Sequence, residues 1–409
     1  MMPRTQQKKT TRRPKGTGTE WQDTNGTWHI RVETGTNPRT GKRRFVSATG
    51  PTRTAARQKL QTKLDAKTRD GDLPLDDIPT LDVWIDRWLK TITPNVKPRT
   101  LETYTSDCNT IRNRIGGMKL DKITAATIEH MCADLAKTHS SKTVHNHYIR
   151  LKQILQAAVR DKLIPSNPAL AAIPPRYTSE TTAILKAGQP AKMAEAARKP
   201  AKRKHDHLAD TDDDREMWSL MFNLAFETGM RQAERFAIMP DELATVNGIH
   251  GINVTWELQR FTPDAEIPNW LRARHYQGNF WLVEPKSRQG NRFVPVSNQT
   301  WLSLWALAGR RQCKPGQLIF TREGHPLTNT VERRRWKRAL EDAGLPYVTM
   351  RSARHFFSTH LAEAGAPEDA RKAMMGHAKI TTTAGYTHWS AESLATLADK
   401  AREAIGQTV

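Results

Sequence analysis

The sequence predicts an α+β chain, mainly helical with small β-sheets. Three observations carry that expectation. Apolar residues recur at helical spacing: Leu81, Trp84, Ile85, Trp88, Leu89 and Ile92 form one stripe, and Val144, Tyr148, Leu151, Leu155 and Val159 another. Period-two alternation is confined to short stretches, such as Trp28, Ile30 and Val32. Proline- and glycine-bearing connections at residues 71 to 79 and 165 to 175 divide the 409 residues into blocks, and that length suits two or three domains.

Residues 1 to 16 hold Arg4, Lys8, Lys9, Arg12, Arg13 and Lys15 with no acid, the composition of a disordered basic arm. Residues 17 to 70 read as a small sheet on a helix. A strand through Trp28 to Val32, with Arg31 on it, is followed by a turn at Asn37 to Gly41. A second strand from Lys42 to Ala48 carries Arg43 and Arg44. A helix from about Thr54 places Ala56, Leu60 and Leu64 on one face.

Residues 76 to 172 read as four helices. Thr80 stands where it can cap the first. Lys97-Pro-Arg99-Thr100 opens the second, with Thr100 as cap and Leu101, Tyr104 and Ile111 on its face. The third runs from about Ala125 to Ala136 and the fourth from Ser141 to Asp161. Lys142, His145, Arg150 and Lys152 lie on or near the polar face of the fourth.

Residues 177 to 409 form the last block. Residues 196 to 214, basic and then acidic, read as a mobile loop between helices. A helix from about Arg215 carries Met217, Leu220, Leu224 and Phe226 into Thr228-Gly229. Residues 249 to 258 read as a strand, and Trp281 to Val296 as a hairpin turning at Gln289-Gly-Asn291. Helices are expected at Leu302 to Ala308, Val331 to Ala343, Ser352 to Glu363 and 391 to 405.

Charge narrows the function classes. Lys and Arg number 64 against 42 Asp and Glu, a net +22 with pI near 10.1, which implies a polyanionic partner such as nucleic acid or an anionic surface. No run of 18 apolar residues marks a membrane span, and the N-terminus lacks the apolar segment of a secretory signal. Cys108, Cys132 and Cys313 are scattered and odd in number, so neither a disulfide framework nor a metal site is expected, which fits a reducing cytoplasm.

The chemistry-bearing residues lie late in the chain. They read Thr228-Gly229-Met230-Arg231-Gln-Ala-Glu234, then Lys286, then Arg351-Ser-Ala-Arg354-His355, then Gly376-His377 and Tyr386. Each alone has a bland reading: a surface arginine or lysine, a capping histidine, a packing tyrosine. Their order carries the inference, with His377 nine residues and Arg354 thirty-two residues before Tyr386. Guanidinium forks that bind non-bridging oxygens, together with a tyrosine nucleophile, suit attack on a phosphodiester.

This ordered set resembles the tyrosine recombinases of the phage-integrase family. The family reads roughly Thr-Gly-x-Arg-x-x-Glu, a hairpin lysine, His-x-x-Arg-His, Leu-Gly-His and Thr-x-x-x-Tyr. The likeness covers residues 180 to 405 strongly and 75 to 175 moderately. One position departs, since Arg351 stands where the family usually has histidine and sometimes lysine.

The resemblance implies an arm-type DNA-binding sheet domain, a four-helix core-binding domain and a mixed catalytic domain. It implies a site-specific recombinase, a phage or mobile-element integrase, that cuts and rejoins DNA through a 3′-phosphotyrosine at Tyr386. No metal, ATP or other cofactor is expected. Arg231, Lys286, Arg351, Arg354 and His377 would be catalytic, with Glu234 and His355 in support. Arg31, Arg43, Arg44, Lys97, Arg99, Lys142, His145 and Arg150 are the expected DNA contacts. The implied partners are double-stranded attachment-site DNA and a homotetramer in the synapse, with a host bending protein and a directionality factor as accessories. The implied location is the bacterial host cytoplasm, at the nucleoid. Two alternatives stay open: a non-catalytic DNA-binding or excision-control protein, and a strand-swivelling topoisomerase with the same chemistry.

If each subunit contacts about six to ten phosphates, affinity for duplex DNA falls about 10³–10⁵-fold between 50 and 200 mM salt. Retardation titrations across that range check it, and a flat response would remove the DNA reading.

Overall fold

The computed structural model describes residues 18–36, 43–70, 78–177, 183–200, 210–285, 290–376 and 389–406. The chain divides into two compact units, one of residues 1–94 and 101–179, the other of residues 95–100 and 180–409.

In the first unit, β1 (Thr19–Gln22), β2 (Trp28–Thr36) and β3 (Arg43–Gly50) form an antiparallel sheet in that order. Alternation makes one face dry. Ile30 pairs with Ala48 and Val32 with Val46, and this face packs on Ala56 and Leu60 of α1 (Arg53–Asp70). Gly50 is required at the turn into α1, because a Cβ there would lie 2.7 Å from the backbone nitrogen of Ala56. The other face carries Trp21, His29, Arg31 and Phe45. β1 is a strand that the sequence pattern did not mark, and the expected turn at 37 to 41 lies outside the described residues.

Helices α2 (Leu81–Ile92), α3 (Pro98–Ile115), α4 (Ala125–Ala136) and α5 (Ser141–Arg160) follow the expected stripes. Trp84, Ile85 and Trp88 of α2 share a core with Ile111, Met131, Tyr148 and Leu151. Two of its large polar-tipped rings make these bonds: Trp84 Nε1 donates to the Ile154 carbonyl at 2.9 Å and Tyr148 Oη to that of Ala169 at 2.7 Å. Thr80 is the N-cap residue of α2, though its side chain makes no capping bond. Thr100 is not a cap: α3 begins at Pro98, whose fixed φ and missing N–H suit a first turn.

In the second unit, α6 (Gln189–Arg198) packs on α7 (Asp212–Thr228). The expected loop at 196 to 214 is therefore shorter at both ends. Residues 196–198 finish α6, and Asp212, Asp213 and Asp214 form the first turn of α7. Thr211 and Asp214 make a reciprocal capping box at the positive end of that helix. Residues 201–209 lie outside the described residues.

α8 (Gln232–Phe236) leads to two three-stranded sheets. β4 (Leu243–Val246), β5 (Ile249–Val254) and β9 (Arg292–Pro295) form one; β6 (Glu257–Arg260), β8 (Phe280–Val283) and β7 (Ala273–Gln277) form the other. Two expectations are corrected here. The strand at 249 to 258 breaks at Thr255-Trp256 and its halves join different sheets. The stretch 281 to 296 is not a self-paired hairpin: β8 pairs with β6 and β7, whereas β9 pairs with β5. The hairpin that contains β8 is β7–β8, turning at Gly278, where φ is +54°.

α9 (Asn298–Arg310) follows, then a short ribbon of β10 (Thr321–Arg322) and β11 (His325–Pro326). α10 (Asn329–Asp342), α11 (Arg351–Glu363), α12 (Glu368–Met375) and α13 (Ala391–Arg402) complete the unit. Trp336 of α10 is fully buried between Phe222 and Phe226 of α7, and Phe226 meets Phe356 of α11 edge-on at 5.3 Å. This aromatic stack fixes α11 against the end of α7.

The tail helix α13 packs within its own chain. Leu394, Ala398 and Ala401 lie against Phe357, Leu361 and Met374. Arg402 is 3% exposed and reaches the fully buried Glu227 at 3.2 Å and the Pro295 carbonyl at 2.8 Å. Glu227 also accepts from Ser297 N and Thr300 Oγ1, both at 2.5 Å. Removing one member of a buried pair costs about 3–5 kcal/mol, because the other charge is left without its partner. Arg402→Ala should destabilise the second unit by about that amount, read as a fall in its urea midpoint. A change under about 0.5 kcal/mol would show that the pair does not anchor α13.

Candidate active site

α7 ends at Thr228, and Gly229 closes it in the left-handed region with φ +59°. A Cβ on Gly229 would lie 2.8 Å from Phe357 and 2.9 Å from the Met375 sulfur. Only glycine fits there, and the chain turns at once into Arg231, the N-cap of α8. Glu234 lies three residues on and returns to cap the same turn. Its Oε2 accepts from the Arg231 backbone N–H at 2.8 Å, and its Oε1 from Arg231 Nη1 at 2.7 Å. The Glu234 carboxylate is fully buried.

A second arginine closes on that carboxylate. Arg292, at the start of β9 and 7% exposed, donates Nη1 to Oε1 at 3.2 Å and Nη2 to Oε2 at 2.9 Å. Arg354, in the first turn of α11, donates Nη1 to the Gly229 carbonyl at 2.7 Å and Nη2 to that of Met375.

The three guanidiniums share one further feature. Arg292 Nε takes the Met374 carbonyl at 2.8 Å, Arg354 takes Met375, and Arg231 Nη2 takes Gly376 at 3.0 Å. These are consecutive carbonyls at the C-terminal end of α12, where a helix leaves acceptors unpaired and favours cations.

Among the groups bonded to Glu234 or to the end of α12, three guanidiniums and one carboxylate leave an excess of two positive charges, and the buried Glu257 of β6, raised by its burial, lies alongside them. Burial alone would raise the Glu234 carboxyl, but Arg292 and then Arg231 hold it down at about 2. Among the described residues Arg354 meets no carboxylate, and burial, then the neighbouring Arg231, push it down to about 9. The site is thus cationic and short of an anion, with Glu234, Arg292 and Arg354 largely withdrawn from water and Arg231 about a third exposed. Arg351 and His355 lie exposed on α11, at its first residue and one turn later. Partial burial, then Arg351 and Arg354, lower His355, so its imidazole is neutral at pH 7. That suits a supporting role better than a proton carrier.

The structure therefore gathers Arg231, Glu234 and Arg354. Lys286, His377 and Tyr386 lie outside the described residues. Arg292 was missed by the sequence reading. It is one of 64 basic residues, and only its pairing with a buried acid distinguishes it.

The expected DNA contacts are mixed. Arg31 is exposed on the outer sheet face, its guanidinium 3.7 Å over the Phe45 ring, beside a Trp21–His29 stack at 5.0 Å. Arg43 is exposed, with Glu33 at 3.7 Å. Of Arg44 only its place in β3, opposite Gly35, is described. Lys97 Nζ donates to the Glu284 carbonyl at 3.2 Å, and Arg99 is exposed. Lys142 lies 3.8 Å over the Tyr177 ring, and His145 Nδ1 is 2.9 Å from the Pro175 carbonyl. Arg150 departs from expectation. It turns inward to the buried Asp107 at 3.1 Å and lies over Tyr104, so it is an internal strut and not part of an outer basic face.

Residues 202–393 match the phage integrase family, and residues 80–135 match the N-terminal SAM-like domain of phage integrases. A tyrosine recombinase XerC 2 from Ralstonia nicotianae is 36% identical over 116 residues, which are 27% of this chain and 33% of that relative. A XerC-like tyrosine recombinase from Caldanaerobacter subterraneus is 26% identical over 372 residues, 83% of this chain and 86% of the relative. Among solved structures, the Tn1549 transposon integrase in complex with a circular intermediate DNA superposes with a TM-score of 0.58 at 20% identity, covering 78% of this chain and 99% of that one. A lambda integrase tetramer bound to a Holliday junction gives 0.52 at 18% identity, covering 90% and 98%. The mixed α+β fold class is the fold of these neighbours.

The Glu234 cluster sets an acid limit on stability. A carboxyl held near 2 when folded, against an ordinary value of 4.5, contributes stability that is full above 4.5 and fades as pH falls toward 2. The difference of 2.5 units is about 3 kcal/mol. Urea midpoints of wild type and Glu234→Gln should differ most at pH 6, keep part of that gap at pH 3 and converge only as pH falls to about 2. A gap that does not change with pH would show that the ionised carboxylate is not its source.

Proposed function

The chain belongs to the phage integrase family, and from that premise we propose that it is a site-specific DNA recombinase of a phage or mobile element, with Tyr386 as nucleophile. The Tyr386 oxygen attacks a backbone phosphorus. A 3′-phosphotyrosine bond forms, the bond to the 5′ oxygen breaks, and a 5′ hydroxyl leaves. The 5′ hydroxyl of a partner strand reverses the step. The phosphoester energy is kept in the covalent link, so rejoining needs no external energy source.

The observation that carries this reading is the arginine cluster on the end of α12. A tyrosine with an ordinary pKa near 10 is about one part in a thousand ionised at pH 7, a deficit of about 4 kcal/mol. Fixed guanidiniums favour the phenolate and the doubly charged phosphorane. Arg231 and Arg354 are assigned to its non-bridging oxygens, where preorganised donors are worth about 3–4 kcal/mol each. Arg354 suits the task because its fork is already desolvated and, among the described residues, has no carboxylate to leave. Arg351 adds charge on the exposed edge and binds phosphate without carrying protons. Lys286 is assigned as the acid that protonates the leaving oxygen, and His377 as a donor to a non-bridging oxygen.

The remaining assignments follow the same premise. Residues 17–70 are proposed as an arm-type DNA-binding domain reading duplex with the face that bears Arg31, Trp21 and Phe45. Residues 76–172 are proposed as the core-binding domain and 177–409 as the catalytic domain. The proposed assembly is a tetramer on two duplexes, with a host bending protein and a directionality factor, acting in the bacterial cytoplasm. No helix among the described residues is long and apolar enough to cross a membrane.

The test uses labelled, nicked duplexes bearing candidate attachment cores, resolved on a denaturing gel. Wild type should give a shifted covalent band and Tyr386→Phe none. Arg354→Ala should lower the rate of band formation by about 10²–10³-fold while retaining retardation on native gels. Binding without a covalent band across several cores would instead favour a DNA-binding protein without strand transfer.

A further inference from the structure

We infer that Arg292 is a positioning residue for strand cleavage: it holds Glu234, and through it Arg231, against the end of α12, without itself touching DNA. The inference rests on the recombinase reading above.

Arg292 spends its hydrogen-bonding capacity inside the protein. Nε goes to the Met374 carbonyl, Nη1 to Glu234 and to the Gly290 carbonyl at 3.0 Å, and Nη2 to Glu234. Four of its five N–H groups are thereby directed at protein acceptors, and at 7% exposure little remains for a substrate. Three elements meet on this one side chain. It begins β9, its partner Glu234 caps the Arg231 turn, and its Met374 acceptor lies in the last turn of α12, two residues before Gly376, which Arg231 holds.

Glu234 has no slack. Each of its oxygens accepts one bond from Arg231 and one from Arg292. Remove Arg292, and half of the carboxylate's donors go. The carboxylate then stays buried with a single cationic partner and moves toward its neutral form. Once neutral, it no longer fixes the Arg231 fork. The charged groups facing Glu234 are Arg231 from its own turn, Arg292 from β9, Arg354 from α11 and Glu257 from β6. A lysine could keep the charge, but it could not bridge both carboxylate oxygens and a helix carbonyl in one plane.

The experiment measures single-turnover cleavage of a nicked duplex by the full chain, with affinity measured separately by retardation. Arg292→Gln should lower the cleavage rate about 100-fold, with the dissociation constant changed less than about threefold. Its pH–rate profile should gain an acid limb above about pH 5, absent from wild type, as the Glu234 carboxyl rises. Arg292→Lys should recover part of the rate, to within about tenfold of wild type, and shift the limb down. Glu234→Gln with Arg292→Gln should be no slower than the worse single variant by more than about threefold, because both act through one contact. If Arg292→Gln cleaves within threefold of wild type per folded molecule, or only lowers Tm, the inference falls. Should Arg292→Gln fail to fold, Arg292→Lys decides alone: a wild-type rate and pH profile overturns it. Absence of the covalent band in wild type would overturn the recombinase reading, and this inference with it.

Discussion

The second unit depends on how one short helix ends. α12 runs for eight residues and stops at a left-handed Gly376, leaving the carbonyls of residues 374 to 376 pointing out of the helix. Water could satisfy them on a surface, but Met374, Met375 and Gly376 are buried. Donors must come from the protein, and three arginines from three distant parts of the sequence supply them, one each. Helix termination and site assembly are thus one event. The partial negative charge of the helix end draws in the cations, and the cations fix where the helix stops.

Concentrating guanidiniums in this way is costly unless something balances them. Glu234 balances part of the charge. It neutralises one unit, engages Arg231 and Arg292, and among the described residues leaves Arg354 bonded to carbonyl oxygens. Full neutralisation would make a stable ion cluster with no reason to bind anything. A residual excess on groups largely withdrawn from water stores an unmet demand for an anion. A phosphodiester meets that demand, and a phosphorane, with more charge on the same oxygens, meets it better. That difference between ground and transition states is what a catalyst needs.

Much of this was legible in the sequence, and what was not has physical reasons. The stripes of α2 and α5 were readable because one face of each is buried and the helical period records it, whereas α7 was readable from its apolar run, since it is buried nearly all round from Met217 onward. The motif around Gly229 was readable because its backbone and its steric contacts admit only glycine. Strand partners were not readable. A period of two reports that a strand has a dry face, not which sheet it joins, so β8 and β9 looked like one hairpin. The acidic run before α7 looked like a solvated loop because a capping turn and a loop share a composition. Arg150 looked like a surface cation because its partner Asp107 lies forty-three residues away on another helix. Arg292 was hidden in the same way, fifty-eight residues from Glu234. Long-range ion pairs leave no local signature.

The departure at Arg351 can be weighed against this background. An exposed arginine at the first residue of α11 sits at the positive end of that helix, where a cation is disfavoured. It also lies close enough to Arg354 and His355 to depress both. By stability alone the position should select against it. A histidine there could lose its proton and relieve the repulsion, whereas an arginine cannot. The chain therefore carries a permanent charge where its family usually has a titratable one. That choice is coherent if the position serves an anion that is present whenever the site works. The helix end and the guanidinium then act on the same phosphate, and their mutual repulsion is relieved by binding. On this argument, proton transfer belongs to other groups, and position 351 contributes a fixed charge that makes the empty site less comfortable than the occupied one.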